Sequence, residues 1–248
     1  MRRVLQSWAV VVGLAGGAGL SVAGAAAGAS GAPTASQVLS QAVRALGSIS
    51  AFTLNGYVVQ GTSRYGIDIR STAKAAEAAG SLSLGSTKPG VAAESFSFVE
   101  IGSKLYLKAN PLFWAKEAGT LPAAAAKIVA RHWIVLTGGS AKGVTSGFAG
   151  FTDAAAIARA IFSGTATTAV HFGPVTTVKG VRVRAIVDAV QSATMYVPAT
   201  GAPLPVEIVG KQARNGGDLT FGYPASLTIT APAGALTIQQ VVSSALKG

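Results

Sequence analysis

Between Phe52 and Leu107 the apolar residues of this chain recur at every second position, and this period of two restricts the fold more than any other feature. Phe52, Leu54 and Val58 alternate with Thr53, Asn55 and Tyr57. Tyr65, Ile67 and Ile69 alternate with Gly66, Asp68 and Arg70. Leu82 and Leu84 stand among Ser81, Ser83 and Gly85, Phe96 and Phe98 stand beside Ser95 and Ser97, and Leu105 and Leu107 flank Tyr106. Successive side chains of a strand point to opposite faces, so each segment is a strand with one apolar and one polar side. The turns between them, such as Gly61-Thr62-Ser63 and Lys88-Pro89-Gly90, are short, which makes the segment an antiparallel meander.

Helical spacing brackets this meander. Thr34 with Gln37 fits a capping box, and Leu39, Ala42, Val43 and Leu46 then follow on one stripe, with Gly47 as the expected stop. After Leu107, Pro122 and the run from Ala123 to Ala130 predict a second helix. Thr152-Asp153 cap a third, which carries Ala154, Ile157, Ala158 and Ile161 and ends at Gly164. Strands then resume: Val181, Val183, Ala185 and Val187 alternate with Arg182, Arg184, Ile186 and Asp188, and Leu204-Val206-Ile208, Leu219-Phe221 and Leu227-Ile229 follow. Thr237 with Gln240 repeats the capping-box pattern for a last short helix. This order predicts an α+β fold, one curved antiparallel β-sheet with α-helices packed over its apolar face.

The leader is of another kind. Met1-Arg2-Arg3 is a basic start, Val4 to Val22 is almost uniformly apolar, and Ala25 to Ala29 offers small-x-small cleavage sites. Residues 1–32 are therefore expected to be a signal peptide, or an N-terminal signal anchor if retained, and residues 33–248 a single domain. The chain has no Cys, so disulfides cannot staple it and stability must come from one sizeable core. The lipid of a bacterial secretory lipoprotein is carried on a Cys at the cleavage site. Without one, no covalent lipid anchor is expected, and the protein is placed outside the cytoplasm, secreted or associated with the cell envelope.

Chemistry-bearing residues are few. There are 9 Asp plus Glu and 2 His among 248 residues, half of which are hydrophobic. Ser71-Thr72-Ala73-Lys74 matches Ser-x-x-Lys, but it follows a strand and lacks the Ser-x-Asn and Lys-Thr-Gly partners of penicillin-binding enzymes. The loop Gly138-Gly139-Ser140-Ala141-Lys142-Gly143 lacks the ending of a P-loop. His132 and His171 stand in no metal-ligand spacing, so no metal and no cofactor are expected. With no nucleophile and base paired by motif, a hydrolase ranks last. The net charge is +11, but its Lys and Arg are scattered and not interleaved with stacking aromatics. That excludes nucleic acid as the expected partner and leaves a diffuse attraction to anionic surfaces, enough for transient membrane-surface contact by a monomer.

The order of elements, with Leu46-Gly47-Ser48-Ile49-Ser50 closing the first helix, resembles the actinobacterial lipoproteins typified by the mycobacterial LppX and LprG proteins. The resemblance runs from Ser36 to about Gly234. It also rests on Gly102-Ser103-Lys104-Leu105-Tyr106-Leu107-Lys108, Phe113-Trp114, a Trp133 expected to be borne on a helix, Leu204-Pro205-Val206-Glu207-Ile208 and Leu227-Thr228-Ile229-Thr230-Ala231-Pro232. It implies a half-barrel sheet like that of the LolA and LolB carriers, with helices across its concave side and a hydrophobic cavity for an acylated lipid or glycolipid. Under that reading Ile67, Ile69, Leu82, Leu84, Phe96, Phe98, Leu105, Leu107, Val181 and Val183 line the cavity. The chain departs from the family in lacking the lipobox Cys. Each buried CH₂ contributes ~0.8 kcal/mol, so one long acyl chain gains roughly 10 kcal/mol before entropy losses, with no dedicated site residue. The implied function is a non-catalytic extracytoplasmic lipid carrier. The alternative is an envelope interaction module with a packed interior that binds anionic cell-surface polymers or a protein partner.

Overall fold

The alternating segments assemble into one sheet of twelve strands. The computed structural model describes residues 32–72, 77–117, 123–138, 170–190, 192–212 and 215–246. A first helix, α1 (Ala35–Ser48), leads into β1 (Ala51–Gln60), β2 (Ser63–Thr72), β3 (Glu77–Ser86), β4 (Glu94–Ile101) and β5 (Lys104–Ala109). Two short helices follow, α2 (Pro111–Glu117) and α3 (Ala123–Val129), and then β6 (Ile134–Thr137). The second half comprises β7 (Val170–Val178), β8 (Val181–Asp188), β9 (Ala193–Pro198), β10 (Glu207–Gly210), β11 (Gly217–Gly222), β12 (Leu236–Thr237) and a last helix, α4 (Ile238–Ala245). The helix expected after Thr152-Asp153 lies outside the described residues.

The order across the sheet is β12-β6-β5-β4-β3-β2-β1-β11-β10-β9-β8-β7. Two meanders, β1 to β6 and β7 to β11, are sewn together where β1 pairs with β11, Leu54 opposite Phe221. Every neighbouring pair is antiparallel except β12 with β6, so the expected antiparallel sheet gains one parallel pair at its rim. The sheet is strongly curved and does not close: it is a half-barrel. At one rim, β7 shifts register between Phe172 and Val175, and it carries Pro174 there, two devices that blunt an open edge against foreign strands. Gly56 has φ +143°, and a Cβ built there would fall 1.9 Å from the backbone oxygen of Asp218, so only glycine lets β1 and β11 approach this closely.

The helices cover the concave face. The α1 capping box is complete: Gln37 N–H donates to Thr34 Oγ1 and Thr34 N–H donates to Gln37 Oε1. The helix runs one residue past Gly47 and ends as Ile49 turns extended. Its apolar stripe does two jobs. Ala35, Leu39 and Ala42 pack on Ile186, Met195 and Val197 of β8 and β9. Leu46 reaches the main core, where Phe113 and Trp114 of α2, Ala125 and Val129 of α3 and Val241 of α4 pack over β1 to β6. On the convex side a smaller cluster joins Ala79 and Val99 to Ile229. Ile229 belongs to the segment expected as a strand at Leu227-Ile229, which has no strand pairing and lies instead across the outside of the sheet.

Candidate functional site

The concave face can be followed residue by residue through the strand register. Leu105 stands opposite Leu136, Leu107 opposite Phe98, Phe96 opposite Leu82, Leu82 opposite Ile67 and Ile69 opposite Leu54. Eight of the ten residues expected to line a cavity therefore share this face: Ile67, Ile69, Leu82, Leu84, Phe96, Phe98, Leu105 and Leu107. All are buried except Leu84, which is half-buried and packs against the edge of the same cluster.

Val181 and Val183 are placed otherwise. Ile186 pairs with Met195, Met195 with Ile208 and Ile208 with Leu219, which continues the concave face into the second meander. Val181 and Val183 are odd-numbered neighbours of Ile186 on β8 and so lie on the opposite side. Val183 is fully buried there, and Val181 is 40% exposed. The cause is that β8 is buried on both faces, Val183 and Ala185 on one and Ile186 on the other. Its more apolar side, with Val181, Val183, Ala185 and Val187, is the convex one, while Arg182, Arg184 and Asp188 share the concave side with Ile186. Alternation alone did not select the inner one, and a single step of register exchanges the faces. The concave surface of this half is instead Ile186, Met195 and Val197, under α1.

Sequence reasoning also missed α2, although its start was legible. Asn110 precedes Pro111, and Asn110 Oδ1 accepts the Phe113 N–H at 2.9 Å, an N-cap followed by proline in the first turn. This helix carries two aromatic side chains of the core, Phe113 lying 5.1 Å from Phe96 between ring centres and 5.5 Å, edge-on, from Trp114.

The end of the concave face near the β1–β2 turn changes in character. There Val58 stands opposite Tyr65, Tyr65 opposite Leu84 and Leu84 opposite Glu94. Burial raises the Tyr65 phenol above its ordinary pKa, partly offset by a hydrogen bond with Ser63. The Glu94 side chain is 5% exposed, and its Oε1 pairs with the Lys116 ammonium of α2. Glu94 Oε2 and the Trp114 Nε1–H are buried without a hydrogen-bond partner. At the other end of β4 the long apolar face carries half-buried Glu100 between Ala78 and Leu105, whereas at this end it gives way to a phenol, a buried acid and a lysine. Half-buried Val58 and Ile208 mark the same stretch between the two helical covers.

Among the described residues no group of three His, Asp or Glu is placed to hold a metal. His132, just beyond α3, and His171, on the rim strand, are both exposed. Ser71 lies next to the end of β2, pairing with Phe52 and Ala78, and stands at no helix start. No helix of the described residues is long and apolar enough to cross a membrane.

An open half-barrel roofed by helices on its concave side is a fold already known among solved proteins. LprF from Mycobacterium bovis has it: 81% of this chain superimposes on 97% of that one, with a TM-score of 0.50 and 16% identity. The lipoprotein LppX from Mycobacterium tuberculosis aligns over 79% of this chain and 98% of its own, with a TM-score of 0.38 and 11% identity. An uncharacterized conserved protein from Thermus thermophilus aligns over 82% and 98%, with a TM-score of 0.33 and 10% identity. No family model matches the sequence, and no curated protein matches it. The likeness expected from the sequence is thus met in the fold.

Proposed function

We propose that the chain is an extracytoplasmic, non-catalytic carrier that holds an acylated lipid or glycolipid against the concave face of its sheet. The observation that carries the reading is the continuous apolar face from Leu136 through Phe98, Ile67 and Leu219 to Ile186, covered by helices and ending in Tyr65, Glu94 and Lys116. Acyl chains need only such a surface, since transfer from water supplies the free energy. A polyol or sugar headgroup would donate a hydrogen bond from its hydroxyl to the unpaired Glu94 Oε2. The likeness of fold to LprF supports the same reading.

Native mass spectrometry of protein purified without detergent tests it. A co-purified lipid, released on unfolding, is the expected result. Protein that emerges lipid-free and takes up no acylated lipid from mixed micelles refutes the carrier. The second reading, an interaction module with a packed interior, has its own support. Phe113, Trp114, Val129 and Val241 pack closely on the main concave cluster, and under that reading the same experiment returns bare protein.

A further inference from the structure

Seven large hydrophobic side chains of the described residues are exposed, and three of them fall on or directly after α4: Ile238 at 44%, Val242 at 45% and Leu246 at 83%. Their spacing is i, i+4, i+8, which makes one stripe along one face of the helix. Val241 and Ala245, on the adjoining flank of the helix, pack into the main core. The helix therefore has one broad apolar arc, and only one flank of it is used by the fold.

The surroundings of the stripe are basic. α4 packs against α3 on the roof of the half-barrel. Lys127 and Arg131, four residues apart at the end of α3, are both exposed. Neither the stretch from Ala123 to Val135 nor that from Leu236 to the C-terminus contains an Asp or Glu, and Lys247 directly follows Leu246. Elsewhere among the described residues exposed apolar side chains do meet basic ones, as where Val175 stands opposite Arg184 and Val181 precedes Arg182, but these are single valines on β7 and β8 and form no helical stripe. Arg64 lies over the Tyr57 ring at 3.8 Å, and Lys179 is 3.7 Å from the Glu207 carboxylate. Among the described residues, the α3–α4 face is where positive charge, with no Asp or Glu in either stretch, meets a helical stripe of exposed apolar side chains.

We infer that the outer face of α3 and α4 docks on an anionic phospholipid bilayer, with Ile238, Val242 and Leu246 entering the headgroup layer while Lys127 and Arg131 meet the phosphates. This is how an amphipathic helix lies on a membrane: apolar area supplies depth and basic residues supply attraction to acidic lipid. The inference deepens the carrier reading, because docking would bring the roof of the concave face to the lipid source. Its test reads the docking alone.

The chain has no Cys, so a single label site can be introduced cleanly. Val242→Cys carries an environment-sensitive fluorophore, and Ser81→Cys, exposed on the convex face opposite Asp68 and Ser97, is the control. The protein is recovered from a host expressing the full chain and mixed with vesicles of phosphatidylcholine alone or with phosphatidylglycerol. The expected result is a blue shift at position 242 with the anionic vesicles, quenched by brominated lipid and absent at position 81. Ile238→Ser with Leu246→Ser should weaken that response at least about tenfold in lipid concentration, and Lys127→Glu with Arg131→Glu should remove its dependence on acidic lipid. An equal response at both sites, or none at 242, overturns the inference. So does a shift at 242 that appears without vesicles and grows with protein concentration, since a second copy would then be covering the stripe. Lipid uptake from micelles that persists in the Ser variants leaves the carrier standing even if docking fails.

Discussion

At the scale of single residues, Leu84 separates the carrier from the packed module. It lies on the concave face with Ile67 and Phe96 but, unlike them, is only half-buried. Leu84→Trp is expected to occupy ligand space and reduce lipid uptake while leaving the melting temperature nearly unchanged. In a close-packed core the same enlargement costs ~1–3 kcal/mol and lowers the melting temperature by several degrees. Ser83→Trp is the paired control, since Ser83 faces the convex side opposite Gly66 and Ser95, and uptake should survive it. Glu100 gives a second handle. It sits on the concave side between Ala78 and Leu105, and burial raises its carboxyl above the ordinary value of 4.5. The folded protein thus holds this proton more tightly than the unfolded chain. This group's contribution to stability therefore falls as pH rises from about 4.5 through the raised value, and stays low above it. Glu100→Gln should remove that fall and raise the melting temperature at neutral pH, as read by thermal scans from pH 4 to 8.

Elements were legible where one physical signal governed them. The capping boxes at Thr34 and Thr237 placed α1 and α4 from sequence, because a hydroxyl and an amide three residues apart can satisfy each other's backbone donors without tertiary help. Thr34→Ala should cost about 1 kcal/mol and lower the melting temperature by ~2–4 °C, measurable by calorimetry. The five strands from Phe52 to Leu107 were equally plain, since one of their faces meets a core and the other meets water or polar neighbours. Legibility failed where burial came from both sides. β8 is buried on each face but alternates with its apolar side outward, so alternation points to Val181 and Val183 while α1 lies on Ile186 on the opposite, concave side. The short elements β6, β9 and β12 were missed for a related reason. Leu236–Thr237 is a strand only because Ile134 and Val135 offer it a partner, and a pairing between distant segments leaves no local period. The candidate site shared this division. Its apolar floor was read from alternation, whereas Glu94 and Lys116 meet only because α2 returns over β4.

At the scale of the whole molecule, the two meanders differ in what they demand of the chain. Every hairpin from β1 to β5, and every one from β7 to β10, pairs segments close in sequence. The joint between the halves does not, because Leu54 must wait for Phe221, which lies near the far end of the chain. Contacts between residues so distant carry a high loop-closure cost and form late. The seam of β1 with β11 should therefore be absent from the folding transition state. Phe221→Ala, which removes a side chain only 6% exposed, should destabilise by ~3–5 kcal/mol and do so mainly by speeding unfolding. Chevron kinetics would show the unfolding limb raised and the folding limb nearly fixed, and the opposite pattern would place the seam in the nucleus. Each half then has its own clock, and the lifetime of the assembled half-barrel is set at the narrow joint where Gly56 lets two backbones touch.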